Sequence, residues 1–566
     1  MKDPNCRILF LAVFVISLIS LGIAESASAS SDRLFEATPT PTPAVRVIIS
    51  TPSPTSTPTP VPSPPGTPER IATLEALQAR IGQRVFSPEV RRGRIGVKIA
   101  SLNSGKVIFE NDADKYFIPA SNMKNFTVST ALEKLGPDFK FKTQVFAGSP
   151  IDANGTVKGP LVVQGGGDVS LSNAFDPAFP GVVNPYWGID KLVDKIAAAG
   201  VKRVEGDLIG NEQRFRGFAT PETWEWDDME TFSGAEVSAL PLNDNVVDLR
   251  IKPGPTASGG PCIISITPAN SIMQIVNNCS TVANGGEKLK VTKRLDQNIL
   301  EVAGTMEAGS KENVRSITFS HVAELFISVL KERLESRGIT ITGKVRTIDN
   351  SVENTRPPSG RAMPMLLTSD ATGPTALTTL ESPPFSVIAA KTMKPSENMY
   401  TETILWTLGE ELGRKNGGGF ADSAQLGLNI TAAFRKEIGI PDDAVRQYDG
   451  SGMSRHDLIT PNAVIQLYTY MAKQSKNAQV WRDSLAVGGV DGTLRSRFRG
   501  TAASENFRGK TGTLDQVSAL SGYVKTAAGE ELVVSFIVNG VAEPRQRTAL
   551  MDDIVIWLAN FNGRID

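Results

Sequence analysis

The sequence predicts an α/β (α+β) domain interrupted by a large, mainly-β insertion, and three observations carry that expectation. A strand pattern, a tight turn and a helical run succeed one another over residues 95–135. Between about 141 and 373 that pattern is replaced by short strands, glycine turns and two helical segments, 188–199 and 320–337. A helical, apolar-rich pattern then resumes near Phe385 and ends in strands 517–524 and 532–538 and a helix over 545–561. At 566 residues the chain is too long for one compact core, so more than one domain is expected.

Taken in chain order, Lys2 and Arg7 precede an apolar run over 8–24 and the small residues Ala27-Ser28-Ala29. This is the layout of a secretory signal, residues 1–29, with an uncleaved membrane anchor as the alternative. Residues 30–69 are rich in Thr, Pro and Ser; proline fixes φ and removes donors, so an extended spacer is expected there. It reads either as a tether or as an extension without a specific role. Folded sequence begins near Ile71 with a helical pattern through Leu74, Leu77 and Ile81. Residues 95–102 alternate as a strand, Asn103-Ser104-Gly105 turn the chain into Val107-Ile108-Phe109, and a helix is expected over 123–135, stopping at Gly136. The domain reading is 70–140 and 374–566 for one domain and 141–373 for the insertion.

Scarce residues exclude several chemistries. The formal net charge is −1, so no bulk field recruits nucleic acid. Two histidines, His321 and His456, and three cysteines are too few and too dispersed for a zinc site, and no metal or cofactor is expected. A Ser-His-Asp triad would have to use one of those histidines. His321 lies in an apolar stretch and is expected to be partly buried and structural, whereas His456 is expected to be exposed. Cys6 precedes the apolar run, which leaves Cys262 and Cys279, close in sequence, as an expected local disulfide.

Three short motifs carry chemistry. In Ser121-Asn122-Met123-Lys124 the serine and lysine stand three apart on a helix and so on one face, with the serine N–H at a helix start. A lysine buried there can act as base. Alone, such a tetrad arises about twice by chance in a chain this long. The second motif is Ser396-Glu397-Asn398; the third is Lys510-Thr511-Gly512-Thr513, read as a strand in which glycine permits a close backbone approach.

In this order and with gaps of about 275 and about 114 residues, these motifs resemble the penicillin-recognising serine enzymes. The long first gap is similar to that of the low-molecular-mass class C penicillin-binding proteins, D-Ala-D-Ala carboxypeptidases/endopeptidases. Further similar stretches are Gly165-Gly166-Gly167-Asp168, Leu242-Asn243-Asp244-Asn245, Asp449-Gly450-Ser451-Gly452-Met453-Ser454-Arg455 and Gly489-Val490-Asp491-Gly492-Thr493-Leu494. The resemblance implies a transpeptidase/β-lactamase-like domain with a five-stranded antiparallel sheet between helices, and two insert domains. It implies Ser121 as nucleophile, Lys124 as base, Ser396 and Lys510 as a proton relay, and Asn398 bonding the substrate backbone. Thr511, Gly512 and Thr513 would hold the terminal carboxylate, with the Ser121 and Thr513 N–H groups as oxyanion hole. Asp228 and Arg455 match residues that meet the amino and carboxylate ends of a diaminopimelate side chain; an ordinary solvated acid is the alternative for Asp228, and a pairing with Asp457 or Asp449 for Arg455. Glu397 replaces an aspartate common in the family and is expected to point away from the cleft. Peptidoglycan stem peptides are the implied substrate, β-lactams the implied inhibitors, and an exported, extracytoplasmic location the implied setting. A β-lactamase or esterase of the same fold, or a non-catalytic cell-wall scaffold, are the alternatives.

Overall fold

The computed structural model describes residues 73–179, 183–256, 259–349 and 375–565. The expected signal or anchor (1–29), the spacer (30–69), the start of folded sequence near Ile71 and the 373/374 border lie outside the described residues. No helix among the described residues is long and apolar enough to cross a membrane.

An antiparallel sheet organises the first body. Its strands run in the order Ala486–Val487, Arg508–Leu514, Val517–Lys525, Glu531–Asn539, Arg94–Ser101 and Val107–Asn111. Five of these are the long strands expected; the sixth is a two-residue strand at one edge. It pairs with Arg508 and Gly509 and stops there, leaving residues 510–514 without an outer strand among the described residues. The sheet is covered on both faces, which explains its unbroken apolar strands. Along Glu531–Asn539, Leu532, Val534, Phe536 and Val538 enter one core, while Val533 and Ile537 enter the other. Helices Leu74–Val85 and Pro544–Asn560 close the first core. Helices Lys124–Lys134, Phe385–Met393, Asn398–Leu408 and Pro461–Lys473 close the second.

The insertion is mainly β, with the two helices expected, Trp187–Ala198 and Val322–Ser336. Its largest sheet orders Val345–Ile348, Leu208–Asn211, Leu161–Gln164, Lys142–Ala147 and Thr375–Glu381, and it mixes parallel and antiparallel pairs. The last strand gives this sheet seven residues that the sequence reading assigned to the other domain. One buried cluster joins the sheets of the insertion, from Val145 through Met306 to Leu380. Cys262 and Cys279 are bridged, with Cα atoms 5.4 Å apart.

The expectation for His321 is corrected. Its φ of 59° turns the chain at the N-cap between the strand Asn313–Thr318 and the helix Val322–Ser336. The apolar neighbours Phe319, Val322 and Ala323 are buried, but the corner itself faces out: the imidazole is 56% exposed and stands 3.5 Å from the Asp296 carboxylate. His456 is exposed, edge-on to Tyr448.

Packing between the sheet and its helices centres on Trp481, fully buried, edge-on to Tyr468 at 5.3 Å and donating to Tyr523 Oη at 3.2 Å. Replacing it should open a cavity that the two tyrosines cannot fill. Trp481→Ala is expected to lower the free energy of unfolding by about 3–5 kcal/mol, read from urea titration. A loss below about 1 kcal/mol would contradict a rigid core at this point.

Candidate active site

The first motif is held at a corner. Ala120–Met123 form a 3-10 turn that runs directly into the helix Lys124–Lys134, which places Ser121 and Lys124 on one face. Ala120 has a φ of 48°, a conformation that residues other than glycine rarely adopt. The Lys124 side chain has no exposed surface. Its Nζ donates to Ser121 Oγ at 3.1 Å, to Asn398 Oδ1 at 2.5 Å and to the Ser451 carbonyl at 2.8 Å. Burial lowers its pKa to about 8, against the opposing charges of Asp449 and Glu402. A neutral amine is therefore accessible near neutral pH, pointed at the serine hydroxyl.

A second lysine completes the cleft. Lys510, in the strand Arg508–Leu514, donates to Ser396 Oγ at 2.7 Å and to the Thr511 carbonyl at 2.9 Å. Its amine is held well below the ordinary lysine range by burial and then by the charge of Lys124. Ser396 has a φ of 75°, and the chain then enters the helix Asn398–Leu408 at once. Asn398 bonds Lys124 on one side and the Ser233 carbonyl of the insertion on the other, at 3.0 Å. Burial pushes the Glu397 carboxyl up to about 7, with Asp244 adding to the rise and Lys124 and Lys510 opposing it.

Glycines bring the segments together. A Cβ on Gly512 would stand 2.7 Å from the Pro119 carbonyl and 3.1 Å from the Ser121 nitrogen. Gly512 thus lets the strand lie against the serine turn itself, a contact within the protein in addition to the substrate approach expected from the sequence. Thr511 Oγ1 donates to Thr493 Oγ1 at 2.7 Å, and Thr513 is exposed.

Asp228 and Arg455 lie within electrostatic reach of each other. Asp228 is partly buried in the 3-10 turn Trp226–Glu230, and its pKa is raised by burial and by Asp227 and Glu225, with Arg455 opposing. Arg455 pairs neither with Asp457 nor with Asp449: its Nε donates to Glu225 Oε2 at 2.8 Å and its Nη1 to the Asp515 carbonyl at 3.2 Å. Asp449 accepts from the Gly452 and Ser454 N–H groups and Asp457 Oδ1 from the Tyr448 N–H, and both side chains are buried.

Several site residues had no role assigned from sequence. Glu402, fully buried, accepts from the Gly450 and Ser451 N–H groups at 2.9 and 2.8 Å; burial and Asp449 push its carboxyl up to about 8. Asp449 accepts from the Gly452 and Ser454 N–H groups and from the Trp224 indole at 2.9 Å. Together they fix the loop whose Ser451 carbonyl meets Lys124. A carboxylate four residues after Asn398, the one charged side chain in the helix Asn398–Leu408, was the available signal for Glu402.

Comparison with known proteins follows the same residues. The model of the D-Ala-D-Ala carboxypeptidase 3 (S13) family matches residues 77–561. A D-alanyl-D-alanine carboxypeptidase of Actinomadura sp. (strain R39) is 30% identical over 505 residues, covering 87% of this chain and 86% of that protein. A second, from Haemophilus influenzae, is 23% identical over 457 residues, covering 79% and 85%. The crystal structure of penicillin binding protein 4 from Haemophilus influenzae superposes with a TM-score of 0.67 at 22% identity, covering 84% of this chain and 97% of that one, and so shares the fold. The chain belongs to the D-Ala-D-Ala carboxypeptidase 3 (S13) family and is a serine peptidase of the low-molecular-mass class C penicillin-binding group.

Proposed function

We propose that Ser121 is the acylated nucleophile of a D,D-peptidase acting on peptidoglycan stem peptides outside the cytoplasm, and that β-lactams acylate the same oxygen. The observation that carries this reading is the fully buried Lys124 amine 3.1 Å from Ser121 Oγ. Neutral Lys124 takes the serine proton as Oγ bonds the carbonyl carbon of the penultimate D-alanine. The negative charge that develops on the carbonyl oxygen meets the N–H groups of Ser121 and Thr513. The first has no acceptor within its own helix, and the second lies on the strand that Gly512 brings against the turn. The amide C–N bond then breaks, and the proton reaches the leaving amine through the Lys510–Ser396 pair. Water attacks the ester, its proton returns to Ser121 Oγ by way of Lys124, and the shortened peptide leaves as its acid.

The remaining assignments rest on position. Asn398 supports the substrate backbone while anchoring Lys124, and Thr511 and Thr513 hold the terminal carboxylate. Asp228 and Arg455 offer opposite charges at the insertion side of the cleft, as a zwitterionic diaminopimelate side chain requires. The insertion, read here as residues 141–381, supplies that wall. A D-Ala-D-Ala carboxypeptidase and a D,D-endopeptidase share this acylation chemistry.

Fluorescent penicillin should label the protein at one site, with the adduct on the peptide containing Ser121 and lost in Ser121→Ala. An adduct that survives that substitution, or no adduct at all, sinks the mechanism. Because Lys124 must be neutral to accept the proton, the second-order rate of penicillin acylation should rise with pH and level off above about 8. A rate that does not change between pH 6 and 9 would remove Lys124 as base. Gly512→Ala should slow acylation about 100-fold by forcing the strand off the serine turn, with near-native circular dichroism. An unchanged rate would show that the close approach is not used.

A further inference from the structure

Gly489-Val490-Asp491-Gly492-Thr493-Leu494 stands out in the sequence, yet the acylation chemistry uses none of its residues. The segment leaves the edge strand Ala486–Val487 and doubles back through the 3-10 turn Gly492–Leu494. Asp491 closes it: Oδ1 accepts from the Val487 N–H at 2.9 Å, and Oδ2 accepts from Lys394 Nζ at 2.5 Å. The Thr493 N–H donates to the Lys394 carbonyl at 3.0 Å, two residues before Ser396. Gly492 permits that approach, since its φ is 53° and a Cβ there would stand 2.4 Å from the same carbonyl. The backbone of Thr493 is thereby fixed between the edge strand and the chain that enters the second motif.

Its side chain meets Thr511 of the third motif. The two hydroxyl oxygens are 2.7 Å apart, and among the described residues neither has another hydrogen-bond partner. A threonine hydroxyl has one proton and two lone pairs, so either member of the pair can be the donor. As the pair stands, Thr511 donates to Thr493. An ionised carboxylate only accepts, so Thr511 can hold one only by turning its proton away from Thr493. Thr511 is 8% exposed, which leaves water little access to it, whereas Thr493 lies exposed beside it. The pair can reverse without losing a bond: Thr493 donates to Thr511 while Thr511 donates to the carboxylate. A chain of hydrogen bonds that ends on a charge is stronger than its members taken singly.

We propose that Thr493 is a positioning residue for substrates that carry a carboxylate beside the scissile bond. Its hydroxyl turns the Thr511 proton toward that carboxylate and so raises the preference for acidic over neutral substrates. The inference rests on the assignment of Thr511 to the terminal carboxylate, and Thr493 acts through Thr511 rather than on the reacting atoms. Asp491 and the Lys394 carbonyl hold the donor in place, which ties carboxylate recognition to the segment that carries Ser396.

The test measures the second-order rates of acylation by benzylpenicillin and by its methyl ester, read from the residual labelling by a fluorescent penicillin added afterwards. In both compounds, as in a peptide ending in D-alanyl-D-alanine, the carboxyl group is one carbon from the nitrogen of the bond that breaks; only the ester lacks the charge. The ratio of the two rates, acid over ester, should fall by about threefold to tenfold in Thr493→Val and in Thr493→Ala, which both lack the hydroxyl. In Thr493→Ser, which keeps it, the ratio should stay within about twofold of the wild-type value. A loss of packing or of folded protein lowers both rates together and leaves the ratio where it was. A ratio unchanged in the valine and alanine variants overturns the proposal, as does an equal fall in Thr493→Ser. A wild-type chain that benzylpenicillin does not acylate overturns the Ser121 reading itself and this inference with it, so the two failures are told apart by the wild-type protein.

Discussion

An amine with no exposed surface is expensive to hold, and the active site is arranged around holding one. Moving a charged ammonium out of water costs several kcal/mol unless partners replace its hydration. Lys124 meets that cost with three acceptors drawn from three separate parts of the chain: Ser121 on its own helix, Asn398 some 274 residues on, and the Ser451 carbonyl 327 residues on. Loss of any one leaves a buried donor unsatisfied. The same contacts that stabilise the fold therefore bear on the protonation state of Lys124 and aim its amine at the serine.

The second lysine sharpens this constraint. Lys510 lies in the same buried cleft, and the charge of Lys124 adds to burial in lowering its tendency to be charged. The charge of Glu397 opposes the fall at both amines. Burial and the charge of Lys124 together favour the neutral form of Lys510.

Much of this was legible in the sequence, for reasons that differ by element. The hairpin Arg94–Ser101 and Val107–Asn111 was signalled by alternation and by Asn103-Ser104-Gly105, and the strand Glu531–Asn539 by its apolar run. Ser121, Lys124, Ser396, Asn398 and Lys510 stood out because they fall into three short motifs in a set order. Glu402, Asp449 and Thr493 did not, because they act by holding loops through backbone N–H groups or a neighbouring hydroxyl, which leaves no spacing rule. His321 was misjudged because an apolar neighbourhood in sequence says nothing about the corner at which the chain turns. The contact of Arg455 with Glu225 left no signal in the sequence, because Glu225 reaches it from another part of the fold.

The insertion is more than a decoration on a sheet, since one of its carbonyls and two of its side chains are hydrogen-bonded to the residues around Lys124. Ser233 accepts from Asn398, the Trp224 indole donates to Asp449, and Tyr400 donates to Asp244. Each of these bonds ends on a residue that itself shapes the surroundings of Lys124, directly or through the loop of Ser451 or Glu397. A shift of the segment around 224–237 would thus alter the support of Asn398 before it altered any contact with the serine. In this architecture the segment 224–237 is hydrogen-bonded to the residues that hold Lys124, so a shift on the insertion side can be felt at Lys124 without any movement of Ser121.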